Sequence, residues 1–284
     1  MTEQQQQQQQ QTAVPAVPGV PPDAPADPVR KDRRVLRAVL RWTAAVAVFA
    51  AVGAATAYGI TRMERTDVPG LATEPDGRWE YPVLTRPPLP SGSPGPFAEA
   101  NTAGTHHADP RALLLPAPEG ARDDKALRGS DGWPAKEDFL AEYAAKEDRE
   151  ELGQHLTDHG LRHIAARGWT MPDGTRTRIY LLRFDTAAVV DELLAPYLAP
   201  FGAPKFPLRG AGTSANDKTF PDEALVEDVQ RVVYDEARPY GGEQVRHAYL
   251  AAGDTLALVV QSRKGGARAV PFQQTVTLQS QLLG

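Results

Sequence analysis

The chain has 284 residues, with 31 lysines and arginines against 36 aspartates and glutamates, a formal net charge of −5, and no cysteine. Disulfides, thiolate metal sites, cysteine nucleophiles and cysteine-linked lipids are therefore excluded. The acidic balance beyond the N-terminal region, with no basic stripe, argues against a nucleic-acid partner.

Gln4–Gln11 and the AVPAVPGVPPDAPADP that follows carry few large apolar residues and recurrent prolines. Too little surface can be buried there to offset chain entropy, so residues 1–36 are expected as a disordered tail. A proline-rich docking strip is the functional alternative.

Next comes WTAAVAVFAAVGAATAYGI, Trp42 to Ile60, an uncharged run of about the 20 residues that span a hydrocarbon core. Arg30, Lys31, Arg33, Arg34, Arg37 and Arg41 precede it, whereas Arg62 and Arg65 are offset by Glu64 and Asp67 on its far side. The positive-inside rule then predicts a signal anchor over residues 37–61, with a cytoplasmic N-terminus and an extracellular C-terminal part. The arginines are the expected contacts of anionic lipid headgroups. Ala55-Thr56-Ala57 also fits a signal-peptidase site, so a secreted protein is the alternative. Ala51, Ala55 and Gly59 stand at the spacing that lets two membrane helices approach.

Residues 62–133, with RPPLPSGSPGP at their centre, read as an extended stalk. Two apolar patches in it, Trp79–Leu84 and Leu113–Leu115, would pack poorly in water and are expected to dock on the folded domain. That domain is expected over 134–284. PAKEDFLAEYAAKEDREELGQHLTDHG spaces Phe139, Leu140, Tyr143, Leu152 and Leu156 helically, with a surface-lying helix or a break near Asp148. Leu161–Trp169 and Arg176–Phe184 flank Met171-Pro172-Asp173-Gly174, the chemistry of a hairpin turn. Thr186–Leu198 carries one apolar stripe and a kinking Pro196. Gln230–Asp235, Val245–Ala252 and Thr255–Ser262 read as strands, the last two joined at Gly253-Asp254, and VPFQQTVTLQSQLL closes the chain as a helix. The expected fold is α+β: an antiparallel sheet of about five strands with helices on one face. Arg162-His163 and Arg246-His247 each open a hairpin followed by a helix, which, without identity beyond the Arg-His pair, two independent units explain better than a duplication does.

His155, His159 and His163 stand four apart and are the weak metal-ligand candidates, since imidazoles on one helix face can chelate. Gly160 and the change to strand at Leu161 should take His163 off that face. His106, in the stalk, and His247 could add ligands only if the chain brought them together. No zincin pattern, serine elbow, S-x-x-K pair, GxGxxG or Walker loop occurs, so no catalytic residue and no cofactor is assigned. Arginine outnumbering lysine, frequent alanine and proline, and the order of basic tail, Ala-rich span, Pro-rich stalk and small α+β domain give a chain that resembles uncharacterised single-pass membrane or secreted proteins of actinobacteria. The reading is a membrane-anchored extracytoplasmic module for binding, sensing or scaffolding, with an envelope ligand or protein as its partner. A metal-binding protein or hydrolase built on the histidines and carboxylates is the rival.

Overall fold

The computed structural model describes residues 33–62, 76–200, 202–238 and 240–284. The Gln- and Pro-rich tail and the first part of the expected stalk lie outside them. The chain forms two units, Met1–Thr73 and Glu74–Gly284.

In the first unit, helix α1 runs Arg33–Arg62 and begins among the arginines rather than at the apolar run. Within Arg33–Gly59 the most apolar 18-residue window has a mean hydropathy of 1.8, and none of it is buried within the protein. By length and composition it fits a membrane span or a signal sequence. The hydroxyls of Thr43 and Thr56 donate to the carbonyls of Val39 and Val52, which removes two free polar groups from an apolar rod.

The second unit is built on a seven-stranded antiparallel sheet. Its strands are β1 (Arg122–Asp123), β2 (His163–Thr170), β3 (Arg176–Arg183), β4 (Ser214–Asn216), β5 (Gln230–Glu236), β6 (Gln244–Ala252) and β7 (Thr255–Arg263), in the order β1-β2-β3-β7-β6-β5-β4. The five long strands match the sequence reading; β1 and β4 correct its count. Two and three residues are too short to show alternation, and such short strands blunt the edges against pairing with other chains.

Helices cover both faces, not one. On the first face, α3 (Lys136–Leu140), α4 (Lys146–Asp158) and α5 (Ala187–Leu193) pack through Phe139, Leu152, Leu156, Val190 and Leu193 onto Tyr180, Leu182, Tyr249 and Leu258. On the second, α6 (Ala269–Leu283) and α2 (Pro110–Leu113) pack through Phe272, Val276, Leu282 and Leu113 onto Ile179, Leu181, Leu250 and Val259. The reason is in the strands: β6 and the first eight residues of β7 are almost continuously buried, the pattern of a sheet covered on two sides. The two hairpins β2–β3 and β6–β7 meet along β3–β7 and send their following helices to opposite faces, which a twofold-related duplication would not do.

The α3–α4 break falls at residues 141–145, before Asp148. Ala144 there donates to the carbonyl of Pro207 and Arg209 donates to that of Glu142, while Arg149 Nη1 caps the carbonyls of Tyr143 and Ala144. Beyond α5 the chain widens into a π turn, Leu194–Leu198, around Pro196, whose ring removes a helical donor.

The described part of the expected stalk is integral to the second unit. Trp79 donates its amide to Gln274 Oε1 and accepts from Gln274 Nε2, both at 2.8 Å, and Tyr81 Oη meets Thr275 Oγ1 at 2.9 Å. Gln279 does the same for the next segment, donating to the carbonyl of Leu113 and accepting from the amide of Leu115. Residues 79–86 thus run as a strap along α6. Leu113, Leu114 and Leu115 are buried, each contributing about 1.5–3 kcal/mol.

Candidate functional site

The three weak metal candidates do not converge. His155 and His159 sit on and at the end of α4 with ring centroids 6.1 Å apart, both against Tyr197. His159 Nδ1 donates to the carbonyl of His155 at 2.8 Å, which leaves only its Nε2 for a metal. Gly160, at φ +72°, turns the chain out of the helix, and Leu161 closes it by donating to the carbonyl of Leu156. His163 then opens β2 and lies 4.8 Å from the Trp133 ring. Among the described residues no three His, Cys, Asp or Glu groups are placed to hold a metal ion.

Of the remaining histidines, His106 and His247 are buried and His107 is exposed. His247, on β6, stacks on Tyr234 at 4.9 Å and meets the edge of Tyr249 at 5.8 Å, with neither ring nitrogen hydrogen-bonded. Burial pushes its pKa down to about 3, so it packs as a neutral aromatic ring. His106 lies in a polar knot. Its Nδ1 and backbone amide face Asp254 Oδ1 at 2.8 and 3.1 Å, and its Nε2 faces the carbonyl of Leu283 at 2.9 Å. Thr255 Oγ1 donates to the same carboxylate, and Arg183 pairs with Asp254 Oδ2 at 3.2 Å while also bonding the carbonyls of His106 and Ala108. The knot closes because Gly253 lets the β6–β7 turn meet Gly104: a Cβ on Gly253 would lie 2.1 Å from the Gly104 carbonyl oxygen. In the sequence Asp254 reads as a turn residue and His106 as part of a stalk; no local signal joins them.

The remaining buried charges are spent in the same way. Glu142 accepts from Tyr180 Oη at 2.7 Å and forms a 2.8 Å ion pair with Arg178 Nε, whose N–H is not aligned on the oxygen. Burial, with the Glu142 charge beside it, raises the Tyr180 pKa. Glu236 accepts from the amides of Gly212 and Val245, and Arg246 pairs with Asp217 and Asp235. Each of these groups holds backbone or partner in place, an arrangement suited to rigidity rather than to proton transfer at a substrate.

The open surface is different. A cleft of about 840 Å³ between α3 and α4 is lined by Lys136, Lys146, Arg149 and Arg209, with Leu140 beneath and only Glu137 and Glu150 as carboxylates. Lys146 pairs with Glu150, Lys136 Nζ donates to the Gly153 carbonyl and to Thr157 Oγ1, Arg149 is held by backbone carbonyls, and Arg209 has no side-chain partner among the described residues. The Arg209 guanidinium thus borders the cleft without a partner, a fork that matches carboxylate or phosphate oxygens. Arg209 is remote in sequence from α3 and α4, and the cleft was not visible from periodicity. A second hollow of about 330 Å³ surrounds Trp133, His163, Thr157 and Arg162, with the Arg111 guanidinium 4.6 Å over the Trp133 ring.

No family model matches the chain, and no curated protein is similar to it at a significant level.

Proposed function

We propose that the protein is a single-pass membrane protein whose Glu74–Gly284 unit is a non-enzymatic, extracytoplasmic binding module that takes an anionic group of an envelope ligand or partner in the α3–α4 cleft. The cleft carries the reading: four cationic residues and two carboxylates line about 840 Å³ of open space, with Arg209 unpartnered, while Glu142, Glu236, Asp254 and His106 are locked onto partners. Support for the topology is the run of arginines entering α1 without matching excess beyond it. The same arginines would contact anionic headgroups on the cytoplasmic side.

The full chain titrated with a tetra-aspartate peptide tests the cleft. Arg209→Glu and Lys146→Glu, both at solvent-facing positions, are expected to weaken binding at least tenfold each at low salt and to leave the unfolding transition unchanged. Equal affinity in wild type and both variants contradicts the assignment.

A further inference from the structure

A further pocket, of about 270 Å³, opens where the end of α6 meets residues 86–96 and 106–113. Its floor is carbon: Ala108, Leu113, Leu282 and Leu283 are all less than a tenth exposed, and Pro87 and Pro96 form its sides. Leu89 stands at the rim, 41 % exposed. The polar groups here are already engaged. Arg86 donates through Nε and Nη2 to the carbonyl of Gln281, and His106 Nε2 faces that of Leu283, so the two side chains close the last carbonyls of α6. The other side chains lining the space are hydrocarbon, with the backbones of Gly95 and Gly284 beside them.

Such a pocket has few partners for water and does not hold it well. An apolar cavity of about 150 Å³ takes one benzene, so about 270 Å³ has room for roughly ten carbons. We infer that this pocket is a binding site for an unbranched hydrocarbon chain, the tail of an amphiphile, seated to a depth of roughly ten carbons with its head at the Leu89 and Arg86 rim. The assignment is independent of the cleft between α3 and α4 and of the membrane topology.

Depth gives the site a signature that general partitioning into lipid lacks. Each methylene moved from water into the pocket should tighten binding about fourfold, the equivalent of roughly 0.8 kcal/mol, until the pocket is full. The experiment uses the full chain in lipid nanodiscs, an n-alkanol photoprobe with a terminal diazirine, and mass-spectrometric mapping of the label. Unlabelled n-alkanols of six to fourteen carbons compete, scored by their free aqueous concentration. We expect the terminal diazirine to label the base residues Ala108, Leu113, Leu282 and Leu283, and a half-competing concentration that falls about fourfold per carbon and levels at about ten carbons. Leu89→Asp and the uncharged, mouth-narrowing Leu89→Trp should each lose that labelling. Val83→Asp, on the same strap at a position 93 % exposed, should keep it. Competition that keeps improving through fourteen carbons, label scattered over the surface, or undiminished labelling in both Leu89 variants would overturn the site.

Discussion

Asp254 is asked to satisfy more donors than any other side chain described here: the amide and ring of His106, the hydroxyl of Thr255 and the guanidinium of Arg183. Removing it by Asp254→Ala strands a buried imidazole and a half-buried guanidinium together, and is expected to cost about 3–5 kcal/mol in chemical denaturation. Thr255→Val, which removes one donor and leaves the ion pairs, should cost about 1 kcal/mol. His247 predicts a pH dependence. Its folded pKa, about 3, lies below its ordinary value of 6.5, so the unfolded chain takes up the proton first as pH falls. Its contribution is whole above about pH 6.5 and declines as pH drops toward 3. His247→Phe keeps the stack with Tyr234 and should flatten that decline, measured as midpoint denaturant concentration from pH 7 to pH 4. A slope unchanged by the substitution would show that the ring is not the group titrating. These roles are not legible in sequence, because a buried pair separated by well over a hundred positions leaves no periodicity. The spacing of His155, His159 and His163 is legible, and so is the glycine that parts them.

At the scale of elements, turn chemistry and alternation serve well where both ends of a segment are marked. Met171–Gly174 and Gly253-Asp254 define the two hairpins, and the observed strands end within two residues of the expected ones. Pro196 marks the end of regular helix, realised as a π turn. The short edge strands and the second helical face are the elements the reading lacks. The continuous apolar run of Leu256–Val260 is the signal that two faces are covered, and by itself it reads only as a strand. The strap was harder still, since its pairing depends on glutamines of α6 whose side chains stand in for a neighbouring strand. Gln279→Ala leaves the amide of Leu115 and the carbonyl of Leu113 unpaired in the core and is expected to cost about 2–4 kcal/mol. Deleting everything before Pro134 removes Leu113–Leu115 and the Trp79–Gln274 pairing as well, and should abolish cooperative thermal unfolding. Deletion up to Glu74 should preserve it. Cooperative unfolding of the shorter chain would restore the stalk to the status of a spacer.

For the whole molecule, the proposed function gives the apolar helix the work of placement and the α+β unit that of recognition. The unit has no disulfide and stands on two apolar layers, one on each side of its sheet, which suits a domain of about two hundred residues. The amphipathic and apolar patterns of this architecture were readable from sequence because burial imposes them on neighbouring residues. The cleft was not, because it is assembled from α3, α4 and a distant loop. The proposed topology keeps α1 as an anchor with the Glu74–Gly284 unit on the outer side of the membrane. Protease added to intact protoplasts carrying the full chain decides it, with fragments read by mass spectrometry. The account predicts that the unit is digested while residues of α1 stay with the membrane; full protection of the unit, or a released protein beginning near Tyr58, would contradict it.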